Sequence, residues 1–173
     1  FTMAMQGVRQ EDNVPINPQA VDADAAALHN AAKGAGTDEI AICGILIQRS
    51  TPHLAAVAQA YHRLYRKHLS SMIDSEFSGH MRDALRYIVD GVENDGQGVT
   101  RDARLLEDSM KGMGTKDERL VYRVARLHWN KHRFEGQIKP AYAQLFHKKG
   151  LKNRVEGETS GDYKRMLSAM IGS

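Results

Sequence analysis

The chain has 173 residues, of which 42% are hydrophobic, enough to bury a sizeable core in one domain or two small ones. A net charge of +3 and an isoelectric point near 9.0 are mildly basic, which permits an anionic partner without identifying one. One cysteine excludes a disulfide framework, no run reaches the roughly twenty apolar residues of a membrane span, and no signal-peptide pattern is found. The expected setting is therefore reducing and cytoplasmic.

In chain order, Ala4-Met5-Gln6-Gly7 is similar to Ala169-Met170-Ile171-Gly172, so Phe1 is expected inside a helix that ends a preceding repeat. Residues 8 to 20, with Asn13, Pro15, Asn17 and Pro18, read as a linker. The segment Ile40 to Ile47 is rich in β-branched residues, but Gly36-Thr37-Asp38 before it is a helix-start signal. Cys43, among Ile42, Ile45, Leu46 and Ile47, reads as a small buried side chain. Thr51 and Pro52 supply an N-cap and first turn for a helix striped by Leu54, Val57, Ala58, Tyr61, Leu64 and Tyr65. Similar stripes run through Met81, Leu85, Ile88 and Val89, and through Ile138, Tyr142, Leu145 and Phe146. Thr115 and Glu118 have capping-box spacing, and Pro140 predicts a kinked or late-starting helix. The fold class expected is all-α.

Self-similarity organises the whole chain. At an offset of 78, Val21 meets Val99, Asp24 meets Asp102, Ala25 meets Ala103 and Leu28 meets Leu106. The same offset lays Lys33-Gly34-Ala35-Gly36-Thr37 on Lys111-Gly112-Met113-Gly114-Thr115. Each loop is followed by Glu-x-Ser-Gly, at Glu76-Phe77-Ser78-Gly79 and Glu158-Thr159-Ser160-Gly161, where the offset has become 82. Beyond it, Leu85 meets Leu167, Ile88 meets Met170 and Val89 meets Ile171, so four residues are inserted within the second copy. A period near eighty with helical patterning describes a repeat of about five helices. The divisions expected are 1–20 (the end of a preceding repeat and a linker), 21–92 and 93–173.

Glycines at alternate positions let a backbone turn its carbonyl oxygens toward one point, and a distant carboxylate would complete an oxygen-lined cation site. Calcium takes six to eight hard oxygen ligands, often with a bidentate carboxylate, so a few carbonyls and one glutamate would leave positions for an outside oxygen. Zinc would want histidine or cysteine, which the loops lack. A loop that merely ends one helix and starts the next is the plainer alternative, and the duplication with a matched acid weighs against it. The phosphate-loop and EF-hand patterns do not fit.

Lys33-Gly34-Ala35-Gly36-Thr37-Asp38-Glu39, the 38 residues between Thr37 and Glu76, and Gly157-Glu158-Thr159-Ser160-Gly161-Asp162-Tyr163 resemble annexin repeats. The resemblance spans almost the whole chain. It is closest to the third and fourth repeats, with the tail of the second, and suggests the C-terminal half of a fungal or other lower-eukaryote annexin. It implies two five-helix repeats after a helical N-terminal remnant, with the loops on a convex membrane-facing side. It also implies calcium held by carbonyls of Ala32, Gly34 and Gly36 and by the Glu76 carboxylate. In the second copy the corresponding ligands are Met110, Gly112, Gly114 and Glu158. Lys33, Thr37, Lys111 and Thr115 would lie beside lipid headgroups. The second copy departs from the pattern: 42 residues separate Thr115 from Glu158, Lys116 stands in place of an acid, and Arg126 lies one place off the equivalent of Arg49.

The function implied is calcium-dependent binding to acidic phospholipid membranes, with peripheral association and calcium bridging protein and lipid phosphate. Such a half, with its apolar interfaces uncovered, is expected to self-associate. The alternative is calcium-independent nucleic-acid or acidic-ligand binding through Lys131, His132, Arg133, His147, Lys148, Lys149, Lys152 and Arg154. Trp129 is expected to pack where the second and third helices of its repeat join. His53, His62 and His68 have no Ser, Cys or acid partner fixed by spacing, so no enzyme activity is expected.

Overall fold

Asn17 and Pro18 open the first described helix of the computed structural model. The Asn17 side chain accepts the Gln19 amide at 2.9 Å, and Pro18 sits where a helix needs no amide donor. The structure describes residues 7–33, 36–112, 114–146 and 150–172; the N-terminal helix expected around Phe1 lies outside them. Among the described residues there are helices and connecting loops but no strand. They fall into two compact units, Phe1–Gly98 and Val99–Ser173.

The first unit contains α1 (Pro18–Ala31), α2 (Glu39–Gln48), α3 (Thr51–Tyr65), α4 (Leu69–Glu76) and α5 (Gly79–Asp90). Apolar positions three and four apart on each helix meet in one core: Val21, Ala25 and Leu28 from α1, Ile42 and Leu46 from α2, Leu54, Val57 and Tyr61 from α3, Ile73 from α4, and Leu85 and Val89 from α5. Each such Val, Leu or Ile side chain contributes about 1.5 to 3 kcal/mol by leaving water. Cys43 packs at the edge of this core, half-buried, and burial together with Glu39 pushes its thiol above the ordinary range. Residues before α1 lie on the α2–α3 junction, where the Gln10 amide donates to the Gln48 carbonyl at 2.7 Å.

The second unit contains α6 (Val99–Met110), α7 (Asp117–His128), α8 (Lys131–Arg133), a π turn (Phe134–Ile138), α9 (Lys139–Leu145), α10 (Gly150–Glu158) and α11 (Gly161–Ile171). Its core gathers Ala103, Leu106, Leu120, Val124, Phe134, Ile138, Tyr142, Leu151, Val155, Leu167 and Ile171. The segments α8, π turn and α9 follow one another directly. The π turn stands where Pro140 forecast an irregularity, since a wider turn accommodates a ring that cannot donate to the preceding turn.

Corresponding buried positions locate the four inserted residues. Leu54 matches Phe134 at an offset of 80, because α7 is two residues longer than α2. Val57 matches Ile138 and Tyr61 matches Tyr142 at 81, because the π turn absorbs one more. Leu69 matches Leu151 at 82, after one further residue in the 146–150 connection.

Helix ends differ from expectation in two places. The N-cap of α3 is Ser50, whose hydroxyl accepts the His53 amide at 3.4 Å, while Thr51 is already helical and its amide donates to Asp12 at 2.8 Å. The capping box of Thr115 and Glu118 does not form. The residue preceding α7 is Lys116, which has no acceptor to offer, and Thr115 turns its hydroxyl elsewhere. Leu64, Met81, Leu145 and Phe146, at the borders of their stripes, are exposed.

One buried carboxylate anchors each unit. In the first, Asp24 on α1 accepts two bonds from Arg49, at 2.7 and 3.0 Å, and lies 2.8 Å from Nε2 of His53. In the second, Asp102 pairs with Arg101 at 2.8 Å and with Arg133 at 2.6 Å. Arg133, which at the offset of 80 stands at the place of His53, supplies the guanidinium that Arg49 supplies in the first unit. His53 has an acid partner after all, and the pair is buried in the helix packing.

Candidate cation loops

The first loop begins where α1 runs out. The Ala32 amide still bonds to the Leu28 carbonyl at 3.2 Å, and the Asp38 amide returns to the Ala31 carbonyl at 2.9 Å, closing the loop on itself. The Asp38 side chain then caps α2 by accepting the Ala41 amide at 3.0 Å. Between these fixed points Thr37 is presented to the end of α4, where its hydroxyl donates to Oε2 of Glu76 at 2.5 Å. Ser75 donates to the other carboxylate oxygen at 3.1 Å.

Glu76 is half-buried, is held by these two hydroxyls, and makes no ion pair among the described residues. Its charge reaches the core: the Tyr61 phenol is pushed up first by burial, then by Tyr65 and Glu76. Lys33 and Gly36 are exposed at the loop, Ala32 is half-buried, and Gly34 lies outside the described residues. The chain turns into α5 at Gly79 with φ +57°, and into α11 at Gly161 with φ +60°. A left-handed residue is needed there, which accounts for the repeated Ser-Gly after each glutamate.

A carboxylate beside backbone carbonyls is the kind of oxygen donor that a hard divalent ion takes. Among the described residues no cluster of three His, Cys, Asp or Glu side chains exists that would hold a metal ion by side chains alone. One carboxylate beside an exposed turn suits calcium, whose flexible sphere accepts carbonyls, water and an outside oxygen together.

The second loop repeats the closure, with the Lys116 amide on the Ser109 carbonyl at 2.8 Å. Gly112 and Gly114 have φ +106° and +87°, and a Cβ on either would meet nothing within 4 Å, so backbone conformation and not crowding calls for glycine. Thr115 Oγ1 lies 3.4 Å from both the carbonyl and Oε2 of Glu158, a looser counterpart of the Thr37 contact. Lys111 is exposed, and Lys116 Nζ donates to the Asp108 carbonyl at 3.3 Å.

What separates the loops is Arg154. Its Nη1 donates to Oε1 of Glu158, and its Nη2 donates to the Met110 carbonyl at 3.1 Å and reaches Glu107 at 3.5 Å. Glu107 in turn accepts from the Tyr142 hydroxyl. Burial works against the Arg154 charge, but Glu107 and Glu158 outweigh it and hold the guanidinium more firmly protonated than usual. Burial and the Glu107 bond push the Tyr142 phenol far up. In the first repeat Met72, His29 and Tyr61 stand at the places of Arg154, Glu107 and Tyr142. Sequence reading placed Arg154 in a basic patch; the signal available was its position four residues before Glu158 on one helix.

The basic region has a different character from its sequence. Arg133 and Arg154 are committed to carboxylates, and His147, Lys148 and Lys149 lie outside the described residues. Trp129 is not packed between helices. It is 84% exposed, edge-on to His128, because the two extra residues of α7 carry it past the core. No helix of the described residues is long and apolar enough to cross a membrane.

Known proteins are similar to this chain in sequence and in fold. The sequence model of the annexin family matches residues 23–88 and 101–170. Annexin C1 of Cryptococcus neoformans var. grubii is 54% identical over 172 residues, covering 99% of this chain and 36% of its own length. Human annexin A7 is 38% identical over 169 residues, covering 96% of this chain and 33% of its own. The chain therefore spans about a third of the length of these curated relatives. Among solved structures, annexin III superposes with a TM-score of 0.81 at 27% identity, over 96% of this chain and 50% of that one. Calcium-bound annexin (Sm)1 superposes with a TM-score of 0.75 at 27% identity, over 97% of this chain and 48% of that one. With both units matched by the family's sequence model, the chain belongs to the annexin family.

Proposed function

We propose that the chain binds acidic phospholipid surfaces through calcium held at the first loop, by the carbonyls of Ala32, Gly34 and Gly36 and the carboxylate of Glu76. The observation that carries this reading is the Thr37–Glu76 contact. It sets a carboxylate with no ion-pair partner among the described residues beside Thr37, which follows the exposed Gly36. A relative of the same fold has been solved with calcium bound. One carboxylate gives modest affinity in solution, and lipid phosphate oxygens supply the remaining ligands, so metal and lipid bind as a unit. Lys33, beside the turn, adds attraction for the anionic surface. The chemistry is binding, without turnover.

Thermodynamic linkage gives the test. Phosphatidylserine vesicles must raise calcium affinity by the same factor that calcium raises vesicle affinity. Calcium titrations with and without vesicles, paired with vesicle titrations with and without calcium, should return equal factors well above one. A factor of one in both directions would defeat the reading.

Self-association belongs to the same reading. Tyr122 and Trp129, two turns apart on α7 and its end with the exposed Arg126 between them, are 64% and 84% exposed, aromatic surface that a second copy of the chain can cover. Sedimentation velocity showing monomer at all concentrations would remove it.

A further inference from the structure

The two loops share closure geometry, threonine and glutamate, yet one carries an ionic group that the other lacks. Calcium at the second loop would need the Glu158 carboxylate and the Met110 carbonyl. Both already accept hydrogen bonds from one guanidinium. Arg154 is not a surface residue passing by: its side chain is 24% exposed, those of Glu158 and Glu107 are 26% and 17%, and Glu107 supports it from the far side. We propose that Arg154 is the resident cation of the second loop, a built-in substitute that closes the site against calcium. The inference rests on reading both loops as oxygen-lined cation sites.

The physical argument is competition for the same oxygens. A guanidinium presents a planar fork of donors and stays charged at every accessible pH, so no change of acidity vacates the position. An incoming divalent ion meets a positive charge within hydrogen-bond reach of its own ligands, and must strip a charge-assisted pair and leave Arg154 and Glu107 to find new partners. Lys116, in place of the acid at Asp38, adds a second positive charge at the same turn. The first repeat has Met72 where the second has Arg154, which leaves Glu76 without the internal cation. The consequence is a division of labour: the first loop responds to calcium, and the second keeps its carboxylate and carbonyl ordered without it.

The test is calcium titration and calcium-dependent cosedimentation with phosphatidylserine vesicles on four variants whose helicity is checked by circular dichroism. Glu158→Gln, with Arg154 in place, should leave both readouts unchanged. Glu76→Gln should suppress them, and adding Arg154→Met, the first repeat's own residue, should restore calcium-dependent vesicle binding by about tenfold over Glu76→Gln alone. Adding Glu158→Gln to that pair should abolish the restored binding. A loss of calcium binding in the single Glu158→Gln variant overturns the proposal, as does a folded Glu76→Gln/Arg154→Met protein that gains nothing. Unchanged binding in Glu76→Gln alone refutes the first-loop reading instead, so the two failures are distinguishable.

Discussion

Thr37 and Glu76, 39 positions apart, meet at 2.5 Å from hydroxyl to carboxylate, and that contact joins the first loop to the end of α4. A hydroxyl that fixes a carboxylate's orientation preorganises it for a metal. Thr37→Val removes the donor with little change in shape, and should lower calcium affinity in the presence of acidic vesicles about fivefold, equivalent to about 1 kcal/mol. Thr37→Ser should restore most of it. Equal affinities for all three proteins in isothermal titration would show that the contact is incidental.

Asp24 is held by Arg49 and His53 in a site where its carboxylate is almost fully enclosed. Replacing it with alanine leaves a guanidinium and a buried imidazole without their acceptor. Asp24→Ala should destabilise the protein by about 1 to 3 kcal/mol, read as a lowered urea midpoint. A shift below about 1 kcal/mol would mean that the site relaxes without its anion.

Lys116 precedes α7 where Asp38 precedes α2, and only Asp38 accepts a helix amide. Lys116→Asp should therefore stabilise the second unit by about 1 kcal/mol, through the missing cap and the favourable dipole. A raised thermal midpoint checks it; an unchanged one would show that loop conformation prevents capping.

Tyr61, Tyr142 and Tyr163 all have phenols pushed up, each first by burial; Tyr163 rises from the ordinary 10.0 to about 12, aided by Asp117. A group that keeps its proton longer folded than unfolded lends stability that is present below the unfolded value and lost as pH rises toward the folded one. Stability should fall between about pH 10 and 12. Absorbance at 295 nm should then show a late tyrosine step coinciding with unfolding. All tyrosines ionising with an ordinary midpoint of about pH 10 while the helices stay intact would contradict it.

The duplication, the all-α class and the loop–glutamate pairing were legible because they recur: Gly36 and Gly114, Thr37 and Thr115, Glu76 and Glu158 report one another. The position of the insertion was not, since α7's two extra residues, the π turn and the later loop residue are distinguishable only from which side chains are buried. Trp129 looked like a core residue because its displacement past the core depends on that lengthening. Arg154 was hidden by the company it keeps in sequence, Lys148, Lys149 and Lys152. Its chemistry comes from Glu107 and Met110, which are more than forty positions away and meet it only after folding. Repetition reveals what two copies share, and the function of a residue found in one copy alone has to come from coordinates.

The most direct measurement is cosedimentation of the unaltered protein and Glu76→Gln with phosphatidylserine vesicles across a calcium series, ended by chelator. The unaltered protein should pellet only with calcium and be released by chelator, while Glu76→Gln should need at least about tenfold more calcium. Identical calcium dependence for the two proteins, or pelleting that chelator does not reverse, would contradict calcium bridging at the first loop.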